Sequence, residues 1–137
     1  ASMQTAPSDL SATVLVVDDE VDLLEVAVSY CEELGLRVLH ATDGLSALEI
    51  ARTEPQIDLL LTDVVMPGMH GIALAARLRA HYPQIRVMYC SGFPSSALAE
   101  RSQLQVDGPL INKPYTKSIF LATVRATLAA NQRDHAA

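Results

Sequence analysis

At 137 residues with 50% hydrophobic content, the chain carries enough apolar material for one domain with a single full core. Ten basic against 16 acidic residues leave a net charge of -6, which excludes the basic footprint of a protein that binds nucleic acid or an anionic membrane directly. No stretch reaches the length of a spanning helix, the polar start from Ala1 to Ser11 has no signal pattern, and the two cysteines, Cys31 and Cys90, fit reduced core thiols, so a cytoplasmic location is expected.

Residues 1–12 are rich in Ser, Thr, Pro and Ala without periodicity and read as disordered linker. The folded domain is expected over 13–130 and a flexible tail over 131–137. Thr13 to Val17 is a β-branched run that predicts a buried first strand, and it stops abruptly at Asp18, Asp19 and Glu20. From Val21 the apolar residues Val21, Leu24, Val28, Cys31 and Leu34 recur at helical spacing, with Gly35 placed to end the helix. Arg37 to His40 predicts a short second strand. Thr42, Asp43 and Gly44 turn into a helix carrying Leu45, Leu48 and Ala51, which Pro55 stops.

The third strand is the apolar run Ile57, Leu59, Leu60 and Leu61, closed by Asp63 and followed by Val64, Val65, Met66, Pro67 and Gly68. A run this short and apolar reads as a strand buried on both faces. Gly71 leads into a helix with Leu74, Ala75 and Leu78 that ends near Tyr82 and Pro83, and Ile85 to Cys90 predicts a fourth strand delivering Ser91 and Gly92 at its exit. Pro94 to Leu104 predicts a weaker helix with few large anchors. Pro109 to Asn112 predicts the last strand, whose exit carries Lys113 and Pro114, and Thr116 can cap a final helix with a Phe120, Val124, Leu128 stripe. Strands alternating with helices imply right-handed crossovers and an α/β fold, a five-stranded parallel sheet with helices on both faces.

In such a sheet Asp18, Asp19, Asp63, Ser91 and Lys113 leave at one edge, where open α/β sheets bind their ligands. Each has an ordinary explanation alone: an N-cap for the acidic pair, a loop former for Asp63 and Ser91, a solvated charge for Lys113. Their joint placement at strand exits is what points to a site. Carboxylates about 4 Å apart repel by about 4 kcal/mol at an effective dielectric of 20, so the cluster shifts its pKa values or holds a cation. An all-oxygen site suits Mg²⁺, and there is no His/Cys spacing for zinc. With the cation and the Lys113 ammonium in place, a phosphoryl group on one carboxylate can be neutralised. Asp63 is the natural nucleophile because it leads into its own loop, apart from the adjacent pair, and carboxylates form acyl phosphates. Ser91 then offers a hydroxyl to a phosphoryl oxygen.

At these residues the chain resembles the receiver domain of two-component response regulators, through Val-Val-Asp-Asp-Glu (16–20), Asp-Val-Val-Met-Pro-Gly-Met-His-Gly (63–71), Ser-Gly (91–92) and Lys-Pro-Tyr (113–115). The resemblance covers Val14 to Leu128 and implies a flavodoxin-like (βα)5 fold with strand order 2-1-3-4-5. It implies Asp63 as phosphoacceptor, with Asp19 a direct and Asp18 a largely water-mediated Mg²⁺ partner, and the Val65 carbonyl a further ligand. Lys113 would bind phosphoryl oxygens, and the Lys113–Pro114 bond would be cis. The implied partner is a histidine kinase or a histidine phosphotransfer domain, docking on the first helix beside Asp19 and the loop after Lys113. Such a domain promotes transfer to its own Asp and then hydrolyses slowly, which makes it a signalling module rather than a turnover enzyme.

Two positions depart from the family pattern. The aromatic residue often found three positions before the lysine is Leu110, and Tyr115 is not its positional equivalent. Ser91 stands where the family often has Thr, keeping the hydroxyl without the methyl that restrains its rotamer. Val65 and Phe93 flank the route to the phosphoryl group and are expected to restrict water. The same residues admit other functions. A docking module that works without phosphorylation is one, and an aspartyl-phosphate phosphatase another, although the Asp such enzymes carry two residues past the nucleophile is Val65. An FMN-binding module would want a hydroxyl- and glycine-rich loop after the first strand, where this chain has acids. Only a short Ala-rich stretch follows Leu128, so a single-domain regulator and the receiver of a hybrid histidine kinase are both compatible, with the Cys-Ser-Gly-Phe-Pro segment (90–94) closer to the latter.

Overall fold

The computed structural model describes residues 12–93 and 106–136, with 130–136 described by their backbone alone. Five strands, β1 (Thr13–Val17), β2 (Arg37–Ala41), β3 (Leu59–Asp63), β4 (Arg86–Ser91) and β5 (Leu110–Asn112), form one parallel sheet in the order β2-β1-β3-β4-β5. The described helices are α1 (Val21–Glu33), α2 (Gly44–Ala51), α3 (Gly71–His81) and α4 (Lys117–Ala136). The helix expected over Pro94–Leu104 lies outside the described residues. Among the described residues no helix is long and apolar enough to cross a membrane.

Because side chains alternate across a strand, each central strand feeds two cores. Leu15, Val17, Leu60, Val87 and Tyr89 pack with Ala47 and Ala51 of α2 and Leu74, Ala75 and Leu78 of α3. On the opposite face Val14, Val16, Leu59, Leu61, Met88 and Cys90 pack with Leu24, Ala27 and Cys31 of α1 and Phe120 and Val124 of α4. Burial of both faces explains why these strands read as unbroken apolar runs. Both cysteines are free and buried, with their thiols pushed up to about 12 by burial, so they serve as packing.

Several boundaries differ from the sequence expectation. Ile57 and Ile85 are buried but lie outside the ladder: β3 starts at Leu59 and β4 at Arg86, because burial and strand pairing are separate requirements. Leu45, expected on the inner stripe of α2, is 71% exposed, and Ala47 takes the inner position. Val21 is likewise exposed at the first turn of α1. The Thr116 cap is present, its hydroxyl accepting the Ile119 N–H at 3.1 Å. The helix it opens runs on to Ala136, past residue 130 where a tail was expected.

One glycine fixes the geometry next to Asp63. The Gly71 N–H donates to the Val64 carbonyl at 2.8 Å, and a Cβ on Gly71 would lie 2.1 Å from the Asp63 carbonyl oxygen and 3.0 Å from Thr62 Cγ2. The obstacle is backbone, so it cannot swing away. Gly71→Ala is therefore expected to cost about 1–3 kcal/mol, the usual range for overpacking, and to displace the end of β3. Thermal melts should show a lowered Tm, and an Ala variant that melts with the native protein would refute this account.

Candidate functional site

The parallel register delivers its polar residues to one sheet edge. Val17 pairs with Thr62 and Asp63 with Cys90, so β1 ends beside β3 with Asp18 next in line, while Ser91 pairs with Asn112, one residue before Lys113. The Asp18 N–H donates to the Ala41 carbonyl at 3.3 Å and the Lys113 N–H to the Ser91 carbonyl at 2.7 Å, extending the sheet pattern into the site. Lys113 and Pro114 are joined by a cis bond.

Around the Lys113 ammonium stand three carboxylates. Its Nζ lies 3.0 Å from Asp18 Oδ2, 3.0 Å from Asp63 Oδ2 and 3.1 Å from Glu20 Oε1. Asp18 and Asp63 are buried, whereas the Glu20 side chain reaches in from the surface. Oxygens of Asp18, Glu20 and Asp63 lie within 4.8 Å of one another and can hold a metal ion. Three carboxylates and one ammonium leave two negative charges. This donor set, hard oxygens with a charge deficit of two, fits a divalent cation such as Mg²⁺.

Electrostatics at Asp63 carry the same message. Burial pushes its carboxyl up from 3.8 to about 6; the Lys113 hydrogen bond and charge work against this, and the charges of Asp18 and Asp19 add to it. For Lys113 burial disfavours the ammonium, but hydrogen bonds to Asp63 and Asp18 outweigh it and hold the group above its ordinary value. The ammonium is thus retained, and it does not fully relieve the acid it faces.

Of the site residues expected from sequence, Asp18, Asp63 and Lys113 are brought into contact. Ser91 is fully buried at the end of β4, its Oγ accepting the Phe93 N–H at 2.9 Å. Val65 is half-buried in the loop after Asp63. Asp19 is exposed and stands outside the group of mutually close oxygens, and Glu20 stands within it instead. The backbone explains the exchange. Glu20 is extended (φ -93°, ψ 106°) and its N–H donates to Asp18 Oδ1 at 2.9 Å. In extended chain, residues two apart share a side, and that alternation is the signal that would have found Glu20.

A family model described as the response regulator receiver domain matches residues 14–125. The chain belongs to this family. The receiver is 37% identical over 102 residues to the response regulator receiver protein CpdR of Brucella abortus, covering 74% of this chain and 84% of that protein. It is 33% identical over 119 residues to the sensor kinase CckA of the same organism, covering 86% of this chain but only 13% of the kinase. The crystal structure of the receiver domain from the hybrid histidine kinase CckA superposes with a TM-score of 0.69 at 30% identity, covering 85% of this chain and 98% of that one. The receiver is thus a two-component signalling module, similar both to a receiver protein and to the receiver segment of larger kinases. The expected fold and strand order hold.

Proposed function

We propose that the receiver takes a phosphoryl group from a phosphohistidine onto Asp63, the donor being a histidine kinase or a histidine phosphotransfer domain. The observation that carries this reading is the Asp63 carboxylate at the exit of β3, 3.0 Å from the Lys113 ammonium and among the oxygens of Asp18 and Glu20. An Asp63 oxygen attacks phosphorus, the P–N bond to the imidazole breaks, and its electron pair returns to the ring nitrogen, leaving an acyl phosphate. Lys113 holds a phosphoryl oxygen, and the buried Ser91 hydroxyl donates to another once it turns from the Phe93 N–H. That charge-assisted bond, about 1.5–3 kcal/mol, shifts a two-state equilibrium by about ten- to over a hundredfold.

Asp18 and Asp63, with Glu20 beside them, are the side chains that would hold Mg²⁺; Asp19 and the Val65 carbonyl are further candidates from family likeness. When bound, the ion would offset the charge that gathers on the phosphoryl oxygens. The first test is intact mass after incubation with acetyl phosphate, with and without Mg²⁺. Addition of one phosphoryl group only with Mg²⁺ is expected. A folded protein that takes up none from acetyl phosphate or from a phosphorylated histidine phosphotransfer domain would be a docking module instead.

Val65, half-buried, and Phe93, whose side chain is partly exposed beside Ser91, are proposed to keep water from the acyl phosphate. Val65→Ser and Phe93→Ser are each expected to speed dephosphorylation several-fold. Unchanged decay of the phosphorylated protein, followed by mass over time, would count against this role.

A further inference from the structure

We propose that Tyr115 is a positioning residue that carries a change at Lys113 to the α1–α4 side of the sheet, in place of the aromatic ring that the Leu110 position lacks; this rests on the reading of Asp63 as the phosphoacceptor. The four tyrosines of the chain divide evenly between the two faces. Tyr82 and Tyr89 belong to the core under α2 and α3, and Tyr30 and Tyr115 to the core under α1 and α4.

On the first face the rings are anchored. Tyr89, paired across the sheet with Leu110, is fully buried and its hydroxyl donates to Asp107 Oδ1 at 2.5 Å. Asp107 is held in turn by Arg79 of α3 at 2.6 Å. The Tyr82 hydroxyl donates to the Ala51 and Glu54 carbonyls. Moving either ring breaks a hydrogen bond or leaves a buried hydroxyl without one, which is unfavourable.

On the second face they are not anchored in this way. Tyr115 is half-buried two residues after Lys113, and neither its hydroxyl nor that of Tyr30 is hydrogen-bonded to another described residue. The Tyr115 ring lies 5.1 Å from Phe120 of α4, and Phe120 lies 5.3 Å edge-on to Tyr30 of α1. Lys117 stands over the Tyr30 ring at 5.7 Å and pairs with Glu33 at 2.7 Å. A contiguous run of packed rings thus leads from the segment carrying Lys113 to the surface of α1 and α4, the physical continuity that coupling requires. Lys113 itself is tied to β4 through the Ser91 carbonyl, so rearrangement at Ser91 and Lys113 is passed along the chain to Tyr115.

The test is ¹⁹F NMR of the protein labelled with 3-fluorotyrosine, each resonance assigned by a single Tyr→Phe substitution, before and after treatment with acetyl phosphate and Mg²⁺, with intact mass taken on the same sample. Shifts of Tyr115 and Tyr30 with Tyr82 and Tyr89 unchanged are expected. Tyr115→Phe, which keeps the ring, should preserve the Tyr30 shift, and Tyr115→Leu should abolish it while the phosphoryl group is still taken up. Movement of Tyr89, or no movement of any tyrosine in a sample whose mass shows phosphorylation, overturns the proposal. A mass without the phosphoryl group after acetyl phosphate and also after a phosphorylated histidine phosphotransfer domain overturns the reading of Asp63 on which it rests, so the two failures are told apart.

Discussion

Asp63→Asn is expected to stabilise the metal-free receiver above pH 6 and to leave its stability near pH 4 almost unchanged. Burial raises the Asp63 carboxyl from 3.8 to about 6, so the folded state resists ionisation that the unfolded chain undergoes freely. The penalty is absent below pH 3.8, grows as pH rises through the interval, and is complete above about 6. At 1.36 kcal/mol per pKa unit it amounts to about 3 kcal/mol, or roughly 10 °C in Tm for a domain of this size. Asn removes the charge but leaves Lys113 its contacts with Asp18 and Glu20, so most of the gain should survive. Melts in chelator from pH 4 to pH 8 measure it directly. A variant no more stable than the native protein at pH 7, or equally stabilised at pH 4, would show that Asp63 is not held at that cost. Mg²⁺ should narrow the gap, because binding to the native chain but not to its unfolded form stabilises it by mass action.

Lys113→Met acts in the opposite direction. Met approximates the length and apolar stem of Lys without the charge, and it would leave the Asp18 and Asp63 side chains, 7% and 9% exposed, facing each other without a cation. Removing one partner of a buried ion pair costs about 3 kcal/mol or more, and that loss is expected in metal-free protein at pH 7 to 8. It should shrink as Asp63 protonates on acidification. Because the Lys113 pKa is raised above 10.5, its contribution is fully present at neutral pH and is lost only as pH climbs past that value. Phosphoryl uptake should fall by about a hundredfold or more, the scale for removing one preorganised electrostatic partner of a transition state. Should the stability loss persist undiminished at pH 4, Lys113 would matter through packing rather than charge.

The sheet was legible in the sequence for a physical reason: strands covered on both faces must be apolar at nearly every position, and such runs end visibly where Asp18, Asp63 and Ser91 begin. Convergence of these residues at one sheet edge follows from parallel pairing. What sequence reasoning missed depends on detail that apolar spacing does not encode. Glu20 reads in the sequence only as the last of three acids after the first strand, yet its extended backbone turns it to the side of Asp18. Leu45 matched a helical stripe, but the close packing of α2 on the sheet favours the small Ala47 inward. Arg79 and Asp107, 28 residues apart, meet only because α3 and the turn before β5 flank the same strand, and nothing local announces the Tyr89 anchor they build. The roles of individual side chains come from family likeness, while the distances around Lys113 show only that Asp18, Glu20 and Asp63 meet there.

The central claim is that the Asp63 carboxylate is the atom group that accepts phosphate, and trapping the acyl phosphate tests it most directly. The receiver would be treated with acetyl phosphate and Mg²⁺, reduced with borohydride, digested, and the peptides sequenced by mass spectrometry. Reduction of an aspartyl phosphate leaves homoserine, so the account predicts homoserine at position 63 and at no other aspartate, and none in a sample prepared without Mg²⁺. Homoserine at Asp18 or Asp19, or its absence from position 63 in protein whose mass shows a bound phosphoryl group, would contradict it.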